Sequence, residues 1–436
     1  MEVSPFRGIR YNQRVVGDLA RVLCPPFDVI TPEQQKLYYK KSDYNAIRLE
    51  FPEQADDRYQ RAAITFQQWL KQGILRADRV PSFYLHDHHF EYSGEKRVRR
   101  GLIARVRLEP WGSGIYPHEE TSSKAKSDRL QLMQACRANF SPLFSLYHDS
   151  EQKIAPILSE ASRAKPMLEA SVSSPLTGEG QGEGAEAHTL WAITDPDTKR
   201  ELGKLLSSQP LYIADGHHRY ETALAYQQEI AQEQTDSCKL SADGFQYVMM
   251  ELVEFSDPGL VVLPIHRLVR GIAPSIWVGL GERLKNFFAL ESVPLKASSS
   301  EASRLPADSC LGILGLQPGS LVVLKKRHPD SIGVSLGTMM PANRSQAYRE
   351  FGVSILNHII LDYILGGAKD LDVAYTVDFK EAYQQIKAGK YQLAFLLNPP
   401  QPEMVKAVAD AQDRMPSKST YFYPKLPAGL VINPLG

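Results

Sequence analysis

The chain has 436 residues, which is enough for two or three domains with large cores. Its 50 basic and 50 acidic residues cancel, which disfavours a nucleic-acid coat or a membrane-surface protein. The four cysteines are far apart and form no CxxC pair, so a zinc knot is disfavoured and a reducing cytoplasm is favoured. The start has no apolar signal core, and no run of the chain is long and apolar enough to span a bilayer. We therefore expect a soluble, cytoplasmic protein.

The first predicted segment, residues 1–110, is α+β. CPPFDVITPEQQ contains an extended Pro-Pro turn followed by a helix whose N-cap is Thr31. Apolar residues at helical spacing predict a second helix over 57–72. The period then changes to two, which predicts a β-hairpin over 82–109.

Three histidines in the first strand of this hairpin, His86, His88 and His89, suggest a metal site. His86 and His88 would share one face of the strand. No carboxylate or cysteine with ligand spacing follows nearby, so we predict no metal there. Pairing with the basic partner strand or with solvent is the expectation.

The second predicted segment, 111–270, is the core. Its loop IYPHEET carries Glu119 and Glu120, and a helix is predicted after it from about 126 to 138. An ordinary polar loop explains this pattern, unless Glu119 or Glu120 comes near a third carboxylate, that of Asp215 further along the chain. In that case the pair could divide metal binding and general-base work.

A flexible insertion is predicted at about 165–190. The stretch ASVSSPLTGEGQGEGAEAHT is rich in Gly, Ser and Glu and has almost no apolar residues. Such a composition does not bury enough surface to order the chain. We assign no chemistry to it.

The centre of the predicted site is LYIADGHHRYETALAY, residues 211–226. An apolar run breaks at a tight turn, and a helix follows. A helix start presents unpaired N–H groups and the positive end of the dipole, where a phosphate can bind. The turn carries one acid, one glycine and three basic side chains: Asp215, Gly216, His217, His218 and Arg219.

An alternative reading of this turn is purely structural. Asp215 would cap the helix, Gly216 would supply the turn, and the basic residues would be solvated. A positive first turn opposes the helix dipole unless an anion is bound there. We therefore favour a phosphate site suited to phosphoryl transfer.

Two further basic groups follow. FQYVMMELVEF, residues 245–255, predicts a buried strand, with 260–269 as its partner strand. His266 and Arg267 form a basic pair in the second half of that stretch and could approach the site. Solvated charges at a strand end explain the pair equally well.

The third predicted segment, 271–436, is α+β, with a core helix over 353–365. Its final stretch, MPSKSTYFYPK, holds a compact set of phosphate-capable donors: Lys418, Ser419, Thr420 and Lys425. They are interleaved with aromatic residues that could stack on a base. A strand with aromatics alternating between core and edge explains the stretch equally well. The chain contains no Walker, kinase Gly-rich or GxGxxG motif, which excludes a standard P-loop or Rossmann site.

Seven motifs in order carry a family resemblance: PFRGIRYN, PPFDVI, PHEET, NFSPLFSLY, ADGHHRYETALAY, LPIHRLV and MPSKSTYFYPK. Together they resemble an uncharacterised prokaryotic family, domain of unknown function 1015, over nearly the whole chain. Through DGHHR, that family is similar to free serine kinases of the SerK type and, more distantly, to the ParB and sulfiredoxin fold.

The resemblance implies an α+β fold: a ParB/sulfiredoxin-like nucleotide-binding core with additional N- and C-terminal α/β segments. It implies a Mg²⁺-dependent kinase that transfers a phosphoryl group from ATP or ADP to an alcohol, most simply free L-serine or a related hydroxyl compound. Asp215 matches the motif's catalytic acid, which would hold Mg²⁺ or orient the hydroxyl, and His218 matches its second histidine. By order along the chain, Glu119 is the candidate base, with Glu120 in reserve.

The nucleotide and phosphate contacts expected beside these catalytic residues are Gly216, His217, Arg219, His266, Arg267, Lys418 and Lys425. The alternative function is a non-catalytic nucleotide-binding regulator, because ParB relatives bind nucleotide and DNA. The neutral charge disfavours nucleic acid, and no membrane partner is expected. A sulfiredoxin-like repair enzyme needs a cysteine in the turn, where this chain has histidines. The sequence is compatible with a homodimer.

Overall fold

The computed structural model shows a mixed α+β protein, as predicted, and its two larger β-sheets organise the fold. It describes residues 1–120, 123–173, 185–236, 243–295, 305–306, 308–327, 336–367 and 371–436. None of the helices in these ranges is long and apolar enough to cross a membrane.

The strands, numbered in chain order, are Val3–Ser4 (β1), Ile9–Tyr11 (β2), Leu75–Ala77 (β3), Phe83–Tyr92 (β4), Glu95–Arg107 (β5), Ile115–Tyr116 (β6), Ala138–Asn139 (β7), Leu143–Tyr147 (β8), Leu168–Ser173 (β9), Ala185–Ile193 (β10), Leu211–Asp215 (β11), Tyr247–Glu254 (β12), Val261–Leu263 (β13), His266–Arg270 (β14), Phe288–Pro294 (β15), Ser309–Leu314 (β16), Ser320–Lys326 (β17), Asp372–Thr376 (β18), Leu393–Leu396 (β19), Tyr421–Tyr423 (β20) and Asn433–Pro434 (β21).

The α-helices, numbered in the same way, are Gln13–Val16 (α1), Pro32–Lys41 (α2), Ile47–Glu50 (α3), Arg58–Lys71 (α4), Ser123–Cys136 (α5), Ile154–Ala161 (α6), Pro196–Ser207 (α7), His217–Asp236 (α8), Pro274–Trp277 (α9), Leu280–Lys285 (α10), Leu336–Met339 (α11), Gln346–Glu350 (α12), Gly352–Ile355 (α13), Phe379–Lys387 (α14) and Pro402–Asp410 (α15). Short 3₁₀ turns lie at Leu19–Arg21, Phe27–Val29 and Gly244–Gln246. The predicted helix over 353–365 consists of α13 followed by a π-helical stretch, Leu356–Ile364.

Local sequence signals set several of these elements as expected. The Thr31 hydroxyl accepts from the backbone N–H of Gln34, and the Gln34 side chain accepts from the backbone N–H of Thr31, which forms a capping box at the start of α2. The predicted hairpin is the antiparallel pair β4–β5. The predicted strand, turn and helix at 211–226 are β11 and α8.

The larger sheet has nine strands in the order β6-β11-β8-β12-β5-β4-β10-β9, with β1 paired to β5. It draws on both of the first two predicted segments. Strand β11 is antiparallel to β8 and parallel to β6. The turn after β11 therefore lies one strand from the edge of the sheet, close to the loops that follow β6 and precede β8.

The expected hairpin between 245–255 and 260–269 is wrong. Strand β12 pairs with β5 and β8 instead. Pro264 has no backbone N–H to donate and interrupts the second stretch, which divides into β13 and β14. Strand β13 pairs with β20, whereas β14 enters the second sheet, whose order is β15-β17-β16-β19-β14-β18.

The predicted insertion at 165–190 is ordered at both ends. Strands β9 and β10 pair with each other, and β10 also pairs with β4 over seven residues from Ala187 to Ile193. Its middle, 174–184, lies outside the described residues. The Gly-rich composition concealed two strands because their apolar positions lie at the ends of the stretch.

A shared apolar core joins the two sheets. One buried cluster includes Phe144 and Ala214 of the larger sheet, Leu311 and Phe395 of the smaller one, and Phe422 of β20. Burial of this size is the main stabilising contribution to such a fold. It fixes the C-terminal stretch around β20 against the end of β11.

Candidate active site

Three segments far apart in sequence meet at one edge of the larger sheet. Strands β6 and β11 are parallel neighbours, with Tyr116 beside Tyr212. Because carboxyl ends of parallel strands share an edge, the PHEE loop after β6 and the DGHH turn after β11 emerge side by side. The segment 415–425 joins them, and Met415 pairs with Glu119 in an isolated parallel bridge.

His118 fastens the three segments together. Its backbone N–H donates to Nε2 of His217 at 3.3 Å, and its Nδ1 donates to the Ile213 carbonyl at 2.7 Å. Its Nε2 then holds the lone pair and accepts from the Thr420 hydroxyl at 2.9 Å. Burial lowers the pKa of His118 to about 4, so the ring is neutral at pH 7. His118 therefore has a structural role, which is to hold the three segments together.

The Asp215 carboxylate lies between two cations at the end of β11. Its Oδ2 accepts from Nη2 of Arg219 at 2.8 Å, and its Oδ1 accepts from Nζ of Lys425. Burial alone would raise the pKa of Asp215, but Lys425 and Arg219 hold that pKa well below its ordinary value. One anion between two cations leaves the cluster with a net positive charge.

Arg219 also ties the turn to the start of β8. Its Nη1 donates to the Ser141 hydroxyl at 3.0 Å and to the Pro142 carbonyl at 2.9 Å. The guanidinium packs against Gly216, where φ is +95° and an added Cβ would lie 3.1 Å from Nη2. Glycine is favoured there because it tolerates a positive φ and has no Cβ to crowd the guanidinium. Arg219 thus holds Asp215 with one hydrogen bond and ties the turn to the residues before β8 with two others.

Glu119 is the carboxylate of the PHEE loop that reaches this cluster. Its Oε1 accepts from the Lys418 backbone N–H at 2.9 Å. Burial raises the pKa of Glu119 to about 7, against the opposing effects of Lys418 and Lys425. Glu120 is exposed and pairs with Arg344 at 3.1 Å instead. A carboxyl group that titrates near neutral pH is suited to accept a proton.

Arg267 holds the turn that presents the Lys418 N–H. Lys418 has φ +61°, a left-handed conformation that is uncommon outside glycine. Nη2 of Arg267 donates to the Lys418 carbonyl at 2.7 Å, and its Nη1 donates to the Ile265 carbonyl. Arg267 is buried, whereas Lys418 is exposed. Arg267 therefore reaches the site from the second sheet as a positioning residue.

The three predicted histidines differ in their surroundings. His217 is buried, and burial lowers its pKa well below the ordinary value. His266 is buried in the second sheet, where its Nδ1 accepts from the Leu397 N–H at 3.2 Å and burial lowers its pKa to about 4. Neither ring brings a cation to the site at pH 7. His218 is partly exposed in the first turn of α8.

A cleft with about 560 Å³ of empty space opens beside Lys425. Nζ of Lys425 lies 4.6 Å from the ring centre of Tyr421, which also lines the cleft. The lining residues come from the CPPF and YFYPK motifs, α2, β9 and β10: Leu23, Cys24, Pro25, Val29, Tyr38, Lys41, Val172, Glu186, His188, Tyr421, Pro424, Lys425 and Pro427.

The residues around Asp215 do not fit the expected magnesium ion. Both carboxylate oxygens already bind cationic side chains, those of Arg219 and Lys425. A further cation at this carboxylate would be repelled by the two that are present. In this arrangement Asp215 anchors two cations, and the predicted metal site has no support.

Sequence reasoning missed two residues of the site and gave a third another role. His118 lies inside a recognised motif, beside Glu119, and that position was a usable signal. Thr420 is predicted as a phosphate-capable donor, but its hydroxyl donates to Nε2 of His118. The contact of Ser141 with Arg219 had no such signal, because the pairing of β8 with β11 cannot be read from either strand alone.

A family model described as "Protein of unknown function (DUF1015)" matches residues 3–354. No curated protein matches the chain significantly.

Several solved structures match at low similarity. A conserved hypothetical protein from Pyrococcus furiosus is 12% identical, covering 75% of this chain and 93% of its own, with a TM-score of 0.34. A free serine kinase in complex with AMP is 12% identical, covering 73% and 86%, with a TM-score of 0.34. SbnI with a C-terminal truncation, from Staphylococcus aureus, is 10% identical, covering 74% and 84%, with a TM-score of 0.35. TM-scores of this size do not establish a common fold.

Proposed function

Because the chain belongs to the DUF1015 family, whose function is unknown, we propose its function from the site: a kinase that phosphorylates a small alcohol. The observation that carries the proposal is the meeting of Glu119, Asp215 and Lys425 at one sheet edge beside a cleft. A base that titrates near pH 7 next to a net positive cluster is suited to phosphoryl transfer.

Glu119 is the proposed general base. The alcohol oxygen attacks the terminal phosphorus of the nucleotide, and its proton passes to the Glu119 carboxylate. The bond from that phosphorus to the bridging oxygen breaks, and the shortened nucleotide leaves with the bond's electron pair. Asp215 would orient the hydroxyl and hold Lys425 in place, while Lys425 and the exposed Lys418 would neutralise the phosphate oxygens.

The proposed donor is ATP or ADP, and the proposed acceptor is free L-serine or a related hydroxyl compound. The similarity of the DGHHR motif to that of free serine kinases supports both choices. His218 and the start of α8 would contact phosphate. A Mg²⁺ ion bound to the nucleotide's phosphates, and a ParB/sulfiredoxin-like core, stay predictions.

The test is phosphoryl transfer followed by phosphorus NMR. Purified protein is mixed with Mg²⁺ and either ATP or ADP, and with a panel of hydroxyl compounds headed by L-serine. We expect a new phosphomonoester with one donor and one acceptor class. Glu119→Gln and Asp215→Asn should abolish it, whereas the matched variant Glu120→Gln should not.

A phosphomonoester that forms equally well with Asp215→Asn would overturn the assignment. Nucleotide binding without any product would instead support the alternative, a non-catalytic nucleotide-binding regulator. If the protein bound neither nucleotide, both the kinase and the regulator would be contradicted.

A further inference from the structure

The cleft beside Lys425 is lined by polar groups that the proposed reaction does not use. The hydroxyl of Tyr421 and Nε2 of His188 are buried and have no hydrogen-bond partner among the described residues. The ammonium group of Lys41, at the end of α2, forms no hydrogen bond or ion pair within the described ranges. Buried polar groups normally have partners, so these side chains are suited to bind a molecule in the cleft.

Two of these groups donate hydrogen bonds. Burial raises the pKa of Tyr421 above its ordinary value, so the hydroxyl keeps its proton at pH 7 and can donate. Lys41 carries three donors and no acceptor. Its Nζ lies 5.8 Å from the ring centre of Tyr38, another residue that lines the cleft. A hydroxyl donor and an ammonium group that line the same cleft attract an anion.

One carboxylate also lines the cleft, and it has a partner. Oε2 of Glu186 lies 2.8 Å from Nε2 of His88. Nδ1 of His88 lies 3.2 Å from Nη2 of Arg99 on β5, so this histidine pairs with the basic partner strand, as expected. The other lysine of the lining, Lys425, is paired with Asp215. Lys41 is therefore the ammonium group that is left for a ligand.

Lys425 connects this cleft to the reacting end of the site. Its Nζ donates to Oδ1 of Asp215, and the same atom lies 4.6 Å from the ring centre of Tyr421. In the proposed reaction, Asp215 orients the hydroxyl of the acceptor. The remainder of the acceptor then extends past Lys425 into the cleft, where Pro25 and Pro424 offer apolar walls.

We propose that the acceptor alcohol carries an anionic group, a carboxylate or a phosphate, which the Lys41 ammonium and the Tyr421 hydroxyl bind in this cleft. This acceptor class rests on the proposed kinase, whose substrate it narrows. Charge-assisted hydrogen bonds are stronger than neutral ones, so the two side chains would determine specificity. Free L-serine carries such a carboxylate, whereas a neutral polyol does not.

His188 would bind a further polar group of the acceptor. Burial lowers the pKa of His188 well below its ordinary value, so the ring is neutral at pH 7. Nε2 of a neutral ring offers either an N–H or a lone pair, and a hydroxyl group can pair with both.

Matched pairs of acceptors test the proposal, with the purified protein, Mg²⁺ and the active nucleotide. L-serine is compared with L-serinamide, in which a neutral amide replaces the carboxylate, and glycerol 3-phosphate is compared with glycerol. We expect kcat/KM to be higher by about tenfold or more for the anionic member of at least one pair. Equal values within both pairs would overturn the proposal.

Substitution of Lys41 shows which substrate the anion belongs to. Lys41→Met removes the ammonium group and should raise KM for the anionic acceptor about tenfold, without changing KM for the nucleotide. Lys41→Arg should restore the low KM, and Tyr421→Phe should raise it while keeping the ring beside Lys425. The matched control is Lys40→Met, at an exposed lysine of the same helix that does not line the cleft.

A higher KM for the nucleotide in Lys41→Met would assign the anion to the nucleotide's phosphates and overturn the acceptor class. Thermal unfolding checks that each variant folds. If Lys41→Met does not fold, Tyr421→Phe decides.

Calorimetry distinguishes a failure of this proposal from a failure of the kinase. L-serine and glycerol 3-phosphate are titrated into the wild type and into Lys41→Met without nucleotide. Binding that Lys41→Met weakens about tenfold, without turnover of any alcohol, would support the anion site and contradict the kinase. Turnover of an alcohol without binding of either anionic probe would contradict the anion site and support the kinase.

Discussion

Two polar regions of the larger sheet differ in how their charges are paired. At the end of β11, Lys425 and Arg219 outnumber the single carboxylate of Asp215, so the surroundings attract an anion. Across β12, β4 and β10, each of two carboxylates bonds to a histidine: Glu251 to His86, and Glu186 to His88. The difference teaches that the pairing of side chains, more than their type, decides what each region can bind.

The histidines illustrate this most clearly. Those in the PHEE loop and the DGHHR turn, His118 and His217, bond to each other's segments and hold the loops together. His188, which no sequence signal marked, lies on β10, and its Nδ1 is 3.1 Å from Nε2 of His86. The conspicuous histidine motifs thus build the site, while His188 belongs to a separate buried group.

Replacement of the Asp215 carboxylate should have the largest effect. Asp215→Asn leaves the buried Arg219 and the mostly buried Lys425 without their anionic partner, which costs about 3–5 kcal/mol of unfolding free energy. It should also abolish turnover. Denaturant unfolding measures the first effect, with Asp197→Asn as the control.

Asp197 pairs with Arg200 at the surface, so its loss should cost less than about 1 kcal/mol. Equal stability losses in the two variants would show that the Asp215 cluster is no stronger than a surface pair.

Replacement of the proposed base, Glu119, should have the next largest effect, and that effect is on the rate. Glu119→Gln is expected to lower kcat by about 10²–10⁴, and Glu120→Gln should change it little. Since the pKa of Glu119 is about 7, the wild-type rate should rise as pH increases through 7, and Glu119→Gln should lose this limb. An unchanged pH profile in Glu119→Gln would assign the base elsewhere.

The same carboxyl group makes stability depend on pH. The pKa of Glu119 is raised in the folded state, so its contribution is fully present below about pH 4.5 and is lost as pH rises through about 7. The wild type should therefore lose stability relative to Glu119→Gln across that window. Chemical denaturation at several pH values measures the difference.

The packing around Glu251 can be disturbed through Gly101. A Cβ at this residue would lie 2.4 Å from Oε1 of Glu251, so Gly101→Ala should displace the carboxylate that bonds to His86. We expect a loss of about 1–3 kcal/mol in the free energy of unfolding. Gly281→Ala, where a Cβ meets no atom within 4 Å, is the control. Equal stability of the two variants would contradict tight packing at Glu251.

The smallest effect is expected at Lys418. Lys418→Gly keeps the N–H that Glu119 accepts from and suits φ +61°, so its stability should stay within about 1 kcal/mol of the wild type. Loss of the ammonium should raise KM for the nucleotide about tenfold. Lys418→Arg, which keeps the charge, should not. An unchanged KM in Lys418→Gly would remove this side chain from phosphate binding.

Local patterns predicted the strand, turn and helix that present Asp215, because those elements depend on residues close in sequence. They could not predict which strands pair. Glu119 comes near Asp215 because β6, just before it in the chain, pairs with β11. This strand has only two residues, which is too short to show a hydrophobic periodicity in the sequence. The carboxylates that bond to His86 and His88 are Glu251 and Glu186, which come from other strands, so the sequence around the histidines cannot show them.

The pairing of Asp215 with Lys425 also has a consequence for biosynthesis. The two residues are 210 positions apart, which the ribosome needs roughly 10–40 s to translate. Until then Asp215 has Arg219 but not Lys425, and Glu119 lacks the Lys418 N–H. A nascent or prematurely terminated chain therefore cannot complete the cluster of Asp215, Arg219 and Lys425. The site is assembled only at the close of translation.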